Sequence, residues 1–367
     1  MGARGNYEEH YTASTLKGTY LAGVWVPDKT RVGWWKNGYP RYFGKVINAP
    51  DFLSFDLYLN GERFDLEKAD VKKFYREVDM RTGIMARTVV LNTKWGELEL
   101  CSTRFFSCRR KEMACMRYDV KSNGFQGTVR VKTGVSADVY NTDANYGEQF
   151  WQVLDACCAQ PEVQLTARTH ENAFGIERFT VCITAFTQGG QCARQKSEDG
   201  KTVEQVFEKH LAQAGDALKL EKYVSVVTSR DHAPQQLSGC GLGLLREAVQ
   251  AGMHALEEEQ RSVWAGRWQM CDVAIEGDDA AQQGIRFNLF QLLCTYDGSD
   301  SRLNIGPKGF TGEKYGGAAY YDTEGYCFPL YLAVAGPEVA RSLLMFRYNT
   351  LEKARENAAK LGLAGAF

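Results

Sequence analysis

The chain has 367 residues, of which 44% are hydrophobic, and its 44 Lys and Arg residues nearly balance 45 Asp and Glu residues for a net charge of −1. This length exceeds a usual single domain and can supply a substantial core, so two domains are expected. The balanced charge argues against a nucleic-acid surface or an anionic-membrane surface and indicates a neutral or small partner.

The first part of the chain has the pattern of antiparallel β structure. Phe55, Leu57 and Leu59 alternate with other residues, and Asn60-Gly61 is typical of a tight hairpin turn. Further short alternating runs, bounded by Gly, Asn and Asp, follow at 87–92, 97–102, 113–120, 128–133, 162–167, 180–185 and 222–228. Short strands at this spacing predict a β-sandwich.

An aromatic cluster near the start of the chain has more than one interpretation. Its members are Trp34, Trp35, Tyr39, Tyr42 and Phe43. Flat aromatic faces suit the C–H surface of a pyranose ring, whereas large aromatic side chains also dominate cores and interfaces. The sequence leaves a sugar platform, a core and a subunit interface open.

Near Ser238 the hydrophobic period changes from that of strands to that of helices. Apolar residues then recur at steps of three and four and predict one linker helix: Leu242, Leu245, Val249, Met253 and Leu256. Trp264 and Trp268, four residues apart, share a helix face. Another helix is predicted to begin near Gln283, and a last one spans 351–360.

Cysteine usage and hydropathy indicate a cytoplasmic protein. The eleven cysteines are an odd number at irregular spacing, and the adjacent pair Cys157-Cys158 lacks a redox or zinc motif. No signal peptide follows Met1, and no apolar run approaches the ~20 residues that span a bilayer. We therefore expect reduced thiols and no membrane contact.

The segment from Asn304 to Glu324 is predicted to be a loop, because five glycines and Pro307 forbid a regular element. It offers flat rings and charged hydrogen-bonding groups that suit sugar hydroxyls: Tyr315, Tyr320, Tyr321, Lys308, Glu313, Lys314, Asp322 and Glu324. Its glycine spacing does not match a phosphate-binding loop. The alternative is a plain surface loop in which Asp322 caps a helix that begins near Thr323.

The run N-I-G-P-K-G-F-T-G-E-K-Y-G-G-A-A-Y-Y-D-T-E at 304–324 resembles the pattern N-I-G-A-K-G-L-T-G-E-x-Y-G-G-x-x-[FY]-W-D-T-E of glycoside hydrolase family 65. This family contains maltose, kojibiose and trehalose phosphorylases, and residues 314–318 resemble the maltose phosphorylase branch more than the kojibiose branch. The segment at 343–358 is similar to the family's R-N-L-L-x-Y-R-Y-x-T-L-x-x-A-R-x-N-A. Further matches cover 1–9, 18–24, 75–83 and 104–107.

The resemblance implies an N-terminal antiparallel β super-sandwich at 1–231, a helical linker at 232–269 and the first helices of an (α/α)6 barrel at 270–367. It also implies a homodimer for the full-length protein. A closed barrel needs about twelve helices of ~11 residues, but the ~100 residues after Met270 hold three or four. We expect an incomplete barrel and a chain truncated at both ends.

The resemblance further implies inverting phosphorolysis of an α-glucoside to β-glucose 1-phosphate and a sugar. The partners are then an α-linked disaccharide and inorganic phosphate as co-substrate, with no other cofactor and no metal. The family's general-acid Glu is expected downstream of Phe367, so no catalytic residue is assigned within the chain and the fragment is expected to be inactive. The family's Trp-Asp pair, which holds glucose, falls on Tyr321 and Asp322, where Tyr replaces the usual Trp.

Two other functions stay open at this point. One is an α-glucoside hydrolase of the trehalase or kojibiose type in the same family, which would need a catalytic base to activate water. The other is a non-catalytic carbohydrate-binding or dimerising fragment, which predicts sugar binding or self-association without turnover.

Overall fold

The structure is a computed structural model that describes residues 1–5, 17–30, 41–142, 147–158, 161–306, 309, 311–313 and 319–363. The chain divides into two compact units. The first unit comprises Met1–Tyr20, Asn48–His170 and Arg178–Ala265, and the second comprises Leu21–Ile47, Glu171–Glu177 and Gly266–Phe367. The boundaries expected at 231 and 269 stay predictions.

The described residues before Pro234 form mainly strands, and those after it form mainly helices. The strands are β1 (Gly2–Gly5), β2 (Gly18–Tyr20), β3 (Trp25–Lys29), β4 (Tyr42–Val46), β5 (Phe55–Leu59), β6 (Glu62–Arg63), β7 (Asp70–Asp79), β8 (Ile84–Thr93), β9 (Gly96–Phe106), β10 (Met113–Ser122), β11 (Gly127–Ser136), β12 (Trp151–Cys157), β13 (Val163–Thr169), β14 (Thr180–Gln188), β15 (Cys192–Lys196), β16 (Thr202–Leu211) and β17 (Ala217–Thr228). The helices are α1 (Leu237–Ala251), α2 (Met253–Cys271), α3 (Asp279–Thr295), α4 (Phe328–Val334), α5 (Pro337–Asn349) and α6 (Leu351–Lys360).

Two antiparallel sheets pack face to face in the first unit, which confirms the predicted β-sandwich. One sheet has the order β12-β13-β14-β17-β10-β9-β8-β7, and the other has the order β15-β16-β11-β5-β6. Their facing side chains are fully buried, among them Leu100, Val131 and Phe207. Lys222 on β17 crosses between the sheets and donates a hydrogen bond of 2.8 Å to Thr133 Oγ1 on β11.

The strand predictions are confirmed where alternation is strong. Each predicted run falls within a strand, except that the run at 162–167 begins one residue before β13, and Phe55, Leu57 and Leu59 are buried on one face of β5. Asn60 and Gly61 both have positive φ, 47° and 86°, as the predicted two-residue turn requires. Alternation does not identify β7, because this edge strand is largely exposed on both faces.

The predicted single linker helix is wrong, because the structure has two helices at this position. Gly252 separates α1 from α2 with φ 81° and ψ 156°, a conformation that a continuing helix cannot adopt. Helix α1 packs on the eight-stranded sheet, where Ser225 Oγ donates a hydrogen bond of 2.8 Å to the Gly241 carbonyl. This hydrogen bond holds the backbone of α1 close to the sheet at Gly241.

Four described helices of the second unit, α3 to α6, form the expected incomplete helical barrel. Helices α3, α4 and α5 pack around a core of the buried residues Tyr296, Ile305, Tyr331 and Leu343. Tyr331 Oη donates to the Leu292 carbonyl at 2.5 Å, and the Tyr296 and Tyr331 rings meet edge to face at 5.7 Å. Ile305, near the start of the loop at 304–324, belongs to this core, so the core anchors that end of the loop.

The aromatic cluster is described only in part. Trp34, Trp35 and Tyr39 lie outside the described residues. Tyr42 on β4 packs against Phe174 with ring centroids 4.8 Å apart, and the Phe43 side chain is 39% exposed. The packing of Tyr42 favours the core interpretation for that residue.

The eleven cysteines all carry free thiols. Burial in the core raises the pKa of the Cys115 thiol to about 12, so this side chain stays protonated and unreactive. Within the described part of the chain, no helix is both long enough and apolar enough to cross a membrane.

Candidate functional site

The two ends of the predicted sugar loop lie side by side in the second unit. Ile305 is buried in the helical core, and its carbonyl accepts a hydrogen bond of 2.6 Å from Thr323 Oγ1. Asn304 Nδ2 also contacts Glu324 Oε1 at 3.4 Å. The loop is therefore closed at its base by residues from its first and last positions.

The chain leaves the loop through a π-helical turn, Thr323–Cys327, that continues into α4. Such turns are rare and occur often at functional sites. Asp322 precedes the turn with helical φ and ψ of −51° and −35°, and its side chain makes no capping hydrogen bond. The alternative in which Asp322 serves as a helix cap is therefore wrong.

Tyr321 presents its ring to solvent. Its side chain is 66% exposed, whereas most large aromatic side chains of the sandwich core are buried. The Arg347 guanidinium carbon lies 4.7 Å from the centroid of the Tyr321 ring, which is the geometry of a cation–π contact. One face of the ring is thereby held, and the remaining ring surface can receive an apolar ligand face.

Asp322 places an exposed carboxylate next to this ring. Among the described residues, no donor lies within hydrogen-bonding distance of its side chain. A carboxylate has about four acceptor positions, so it can receive several hydroxyl hydrogen bonds. The two predicted site residues, Tyr321 and Asp322, are thus both exposed and adjacent, in an arrangement that suits a sugar ring with its hydroxyls.

The other charged residues of the loop are less suited to contact a ligand. Glu324 forms a bidentate pair with Arg347, with oxygen–nitrogen distances of 2.9 and 2.7 Å. Burial is the largest single effect and would raise the pKa of Glu324, but the hydrogen bonds and charge of Arg347, together with the hydrogen bond from Asn304, outweigh it and hold the pKa below its usual value. Glu313 is buried, and Lys308, Lys314 and Tyr315 lie outside the described residues.

Arg347 is the residue of this site to which the sequence assigned no role. It lies on α5, within the family-like segment 343–358, and follows four apolar residues. The sequence feature that could have pointed to this pair is an arginine that directly follows an apolar run, together with a glutamate at the end of the preceding loop. Pattern alone cannot pair residues that are 23 positions apart.

The first unit offers a second candidate, a cleft of about 570 Å³ at one end of the sandwich beside Trp95. Charged groups that line this cleft are already paired with one another. Lys94 Nζ lies 4.4 Å from the Trp95 ring centroid and 2.6 Å from Glu62 Oε1, and Lys68 pairs with Asp65 at 3.0 Å. A ring covered by a lysine and carboxylates held by cations suit a sugar less well than Tyr321 and Asp322 do.

Two family models match the chain. The model of the glycosyl hydrolase family 65 N-terminal domain matches residues 1–267, and that of the glycosyl hydrolase family 65 central catalytic domain matches residues 286–367. The described residues contain no group of three or more His, Cys, Asp or Glu side chains placed to hold a metal ion.

Characterised relatives align over the whole chain. Maltose phosphorylase of Bacillus subtilis (strain 168) is 45% identical over 367 residues, which are 100% of this chain and 48% of the relative. Alpha,alpha-trehalose phosphorylase of Thermoanaerobacter brockii is 29% identical over 100% of this chain and 48% of its own length. The chain therefore spans about half the length of the curated relatives it matches.

A solved structure has the same fold. A putative kojibiose phosphorylase from the human microbiome superposes with a TM-score of 0.89 at 26% sequence identity, over 99% of this chain and 47% of that chain. The likeness extends through both the strands and the helices, because the coverage leaves almost no residue out.

Proposed function

This chain belongs to glycosyl hydrolase family 65, and from that membership we propose that it forms part of an inverting disaccharide phosphorylase that cleaves an α-glucoside, with maltose as the first substrate to test. The 45% identity to a maltose phosphorylase over the whole chain carries this proposal. The proposed products are β-glucose 1-phosphate and a free sugar. We also propose that the complete protein is a cytoplasmic homodimer.

In this proposal Tyr321 and Asp322 hold the glucose unit on the non-reducing side of the cleaved bond. The Tyr321 ring packs on the sugar face, and the Asp322 carboxylate accepts hydrogen bonds from hydroxyl groups. Hydrogen bonds to a charged acceptor stabilise by about 1.5–3 kcal/mol each. Together they fix the ring so that its anomeric carbon is presented in one orientation.

The bond is broken by direct displacement. An oxygen of inorganic phosphate attacks the anomeric carbon on the face opposite the glycosidic oxygen, which leaves with a proton from a carboxylic acid. Inverting hydrolases need a second carboxylate to activate water, but phosphate is already an anion and needs none. None of the carboxylates of this chain is proposed as that acid.

The test uses the complete protein encoded by the gene, incubated with maltose in the presence and absence of phosphate. We expect glucose 1-phosphate to form only with phosphate, and proton NMR to show the β anomer as the first product. Glucose release without phosphate would instead support the hydrolase alternative. If maltose, trehalose, kojibiose and nigerose all fail to react, the phosphorylase proposal is refuted, and sugar binding without turnover is the function that remains.

A further inference from the structure

Arg347 contacts the residues on both sides of Asp322. Its Nε and Nη2 donate to the two carboxylate oxygens of Glu324 at 2.9 and 2.7 Å. Nη2 also donates to the Tyr320 carbonyl at 2.7 Å, and the guanidinium lies over the Tyr321 ring. One side chain from α5 thus holds the two residues before Asp322 and the residue two positions after it.

The backbone around Asp322 is held at further points. The Thr323 hydroxyl is bound to the Ile305 carbonyl at 2.6 Å, and the Gly325 N–H donates to the Tyr321 carbonyl at 2.9 Å. Among the described residues, the Asp322 side chain makes no capping hydrogen bond, and it is exposed. The structure therefore fixes the main chain of Asp322 firmly while it leaves the carboxylate exposed.

The chemistry of the pair suits this task. The side chains of Arg347 and Glu324 are 25% and 19% exposed, so water screens their attraction less than at an open surface. A guanidinium can make two parallel hydrogen bonds to a carboxylate and stack on a ring at the same time, because its donors lie in one plane and its faces are free. A lysine ammonium cannot do both.

We propose that Arg347 is a positioning residue that, paired with Glu324, sets the orientation of the Tyr321 ring and of Asp322 for sugar binding. This inference rests on the proposed function of those two residues. Arg347 acts through them and has no assigned contact with the sugar. Its loss should therefore affect the disaccharide and leave the phosphate site unchanged.

The test compares Arg347→Lys with wild type in the complete protein. The lysine keeps the charge but loses the bidentate pair and the stack, so we expect kcat/KM for maltose to fall about tenfold to a hundredfold, as for a misplaced binding group. The KM for phosphate should stay within about twofold. Arg355→Lys is the matched control, because Arg355 forms an exposed pair with Glu352 on α6, and it should behave as wild type.

Glu324→Gln gives a second route if Arg347→Lys folds poorly. It should shift the same parameters in the same direction by a smaller factor, since one oxygen acceptor remains. The double variant should lose little more than Arg347→Lys alone, because both changes break one unit. Additive losses in the double variant would show that the two residues act independently.

Three results would overturn the inference. The first is an unchanged kcat/KM for maltose in Arg347→Lys at wild-type melting temperature. The second is a parallel change in the KM values of maltose and phosphate with a lowered melting temperature, which would mark a general structural role. If the wild type binds maltose in calorimetry but does not turn it over, the phosphorylase proposal is refuted. The inference about Arg347 is then tested by comparing the maltose affinities of the same variants. The third is a wild type that neither binds nor cleaves maltose, which overturns both this inference and the proposed phosphorylase.

Discussion

Gly83 and Trp264 lie in direct contact, so that a β-carbon built on Gly83 would overlap the indole nitrogen of Trp264. Gly83 ends the turn between β7 and β8 with φ 67°, and its N–H donates to the Asp79 carbonyl at 2.7 Å. Trp264 on α2 is 1% exposed. The turn and the helix therefore fit together only with glycine at this position.

Replacement of this glycine should destabilise the protein for two separate reasons. Gly83→Ala imposes strain of about 1–2 kcal/mol from positive φ and overpacking of about 1–3 kcal/mol against the indole. Gly61→Ala is the control, since Gly61 has φ 86° with open space around it and carries the strain alone. Urea unfolding followed by tryptophan fluorescence should give a lower midpoint for Gly83→Ala, and equal midpoints would refute the contact.

Helix α1 offers a second matched pair of glycines. A β-carbon on Gly241 would lie 3.1 Å from Thr184 Oγ1 and 3.3 Å from Ser225 Oγ, whereas Gly243 faces open space. Gly243→Ala should stabilise the protein by about 0.5–1 kcal/mol through helix propensity. Gly241→Ala should lose that gain by pushing the helix from the sheet. Thermal melting by circular dichroism would contradict this packing if both variants melt above wild type.

Lys222 predicts a pH dependence of stability. Its Nζ is fully buried and donates to the Phe52 carbonyl at 2.6 Å, Thr133 Oγ1 at 2.8 Å and the Gly134 carbonyl at 2.9 Å. Burial lowers the pKa of Lys222 to about 7, against a smaller opposing effect of Asp51. The unfolded chain keeps this proton up to about pH 10.4. The unfolded state thus binds more protons above pH 7, so stability rises with pH from about 7 toward 10.

The variant Lys222→Met removes this dependence. It should be less stable overall, because its three former acceptors lose their donor at about 1–3 kcal/mol per unsatisfied group. The stability difference between wild type and Lys222→Met should grow between pH 6.5 and pH 8.5 in urea titrations. A constant difference across this range would mean that Lys222 keeps its proton in the folded state.

Asp322 predicts a loss of activity without a loss of stability in the complete protein. Asp322→Ala removes an exposed acceptor of sugar hydroxyls, so kcat/KM for the disaccharide should fall by about 10²–10³-fold, as expected for a few kcal/mol of lost charged hydrogen bonds. For Asp322→Asn, kcat/KM should lie between the values of wild type and Asp322→Ala, because one oxygen acceptor remains. Glu352→Gln on exposed α6 is the control. Unchanged kinetics in Asp322→Ala would remove this residue from the site.

Local sequence determined the elements whose pattern reflects burial directly. Residues that alternate at a period of two, as in β5 and β11, face a sandwich core whatever their partner strands are, so their strands were predictable. Glycines and Pro307 likewise marked the loop before Glu324, and the family pattern placed Tyr321 and Asp322 in it. The break at Gly252 was missed because the apolar spacing continues across it at helical period.

Tertiary structure alone decided which residues meet. Glu324 is paired with Arg347 and so differs from the exposed Asp322, and Gly83 is required by a tryptophan that lies 181 residues further along the chain. Such contacts depend on how whole elements pack, and no local period encodes them. Local patterns were therefore enough to predict the sandwich, the loop and its sugar-binding groups, whereas the packing of α5 against the loop determines which carboxylate is held in an ion pair and which is exposed to a ligand.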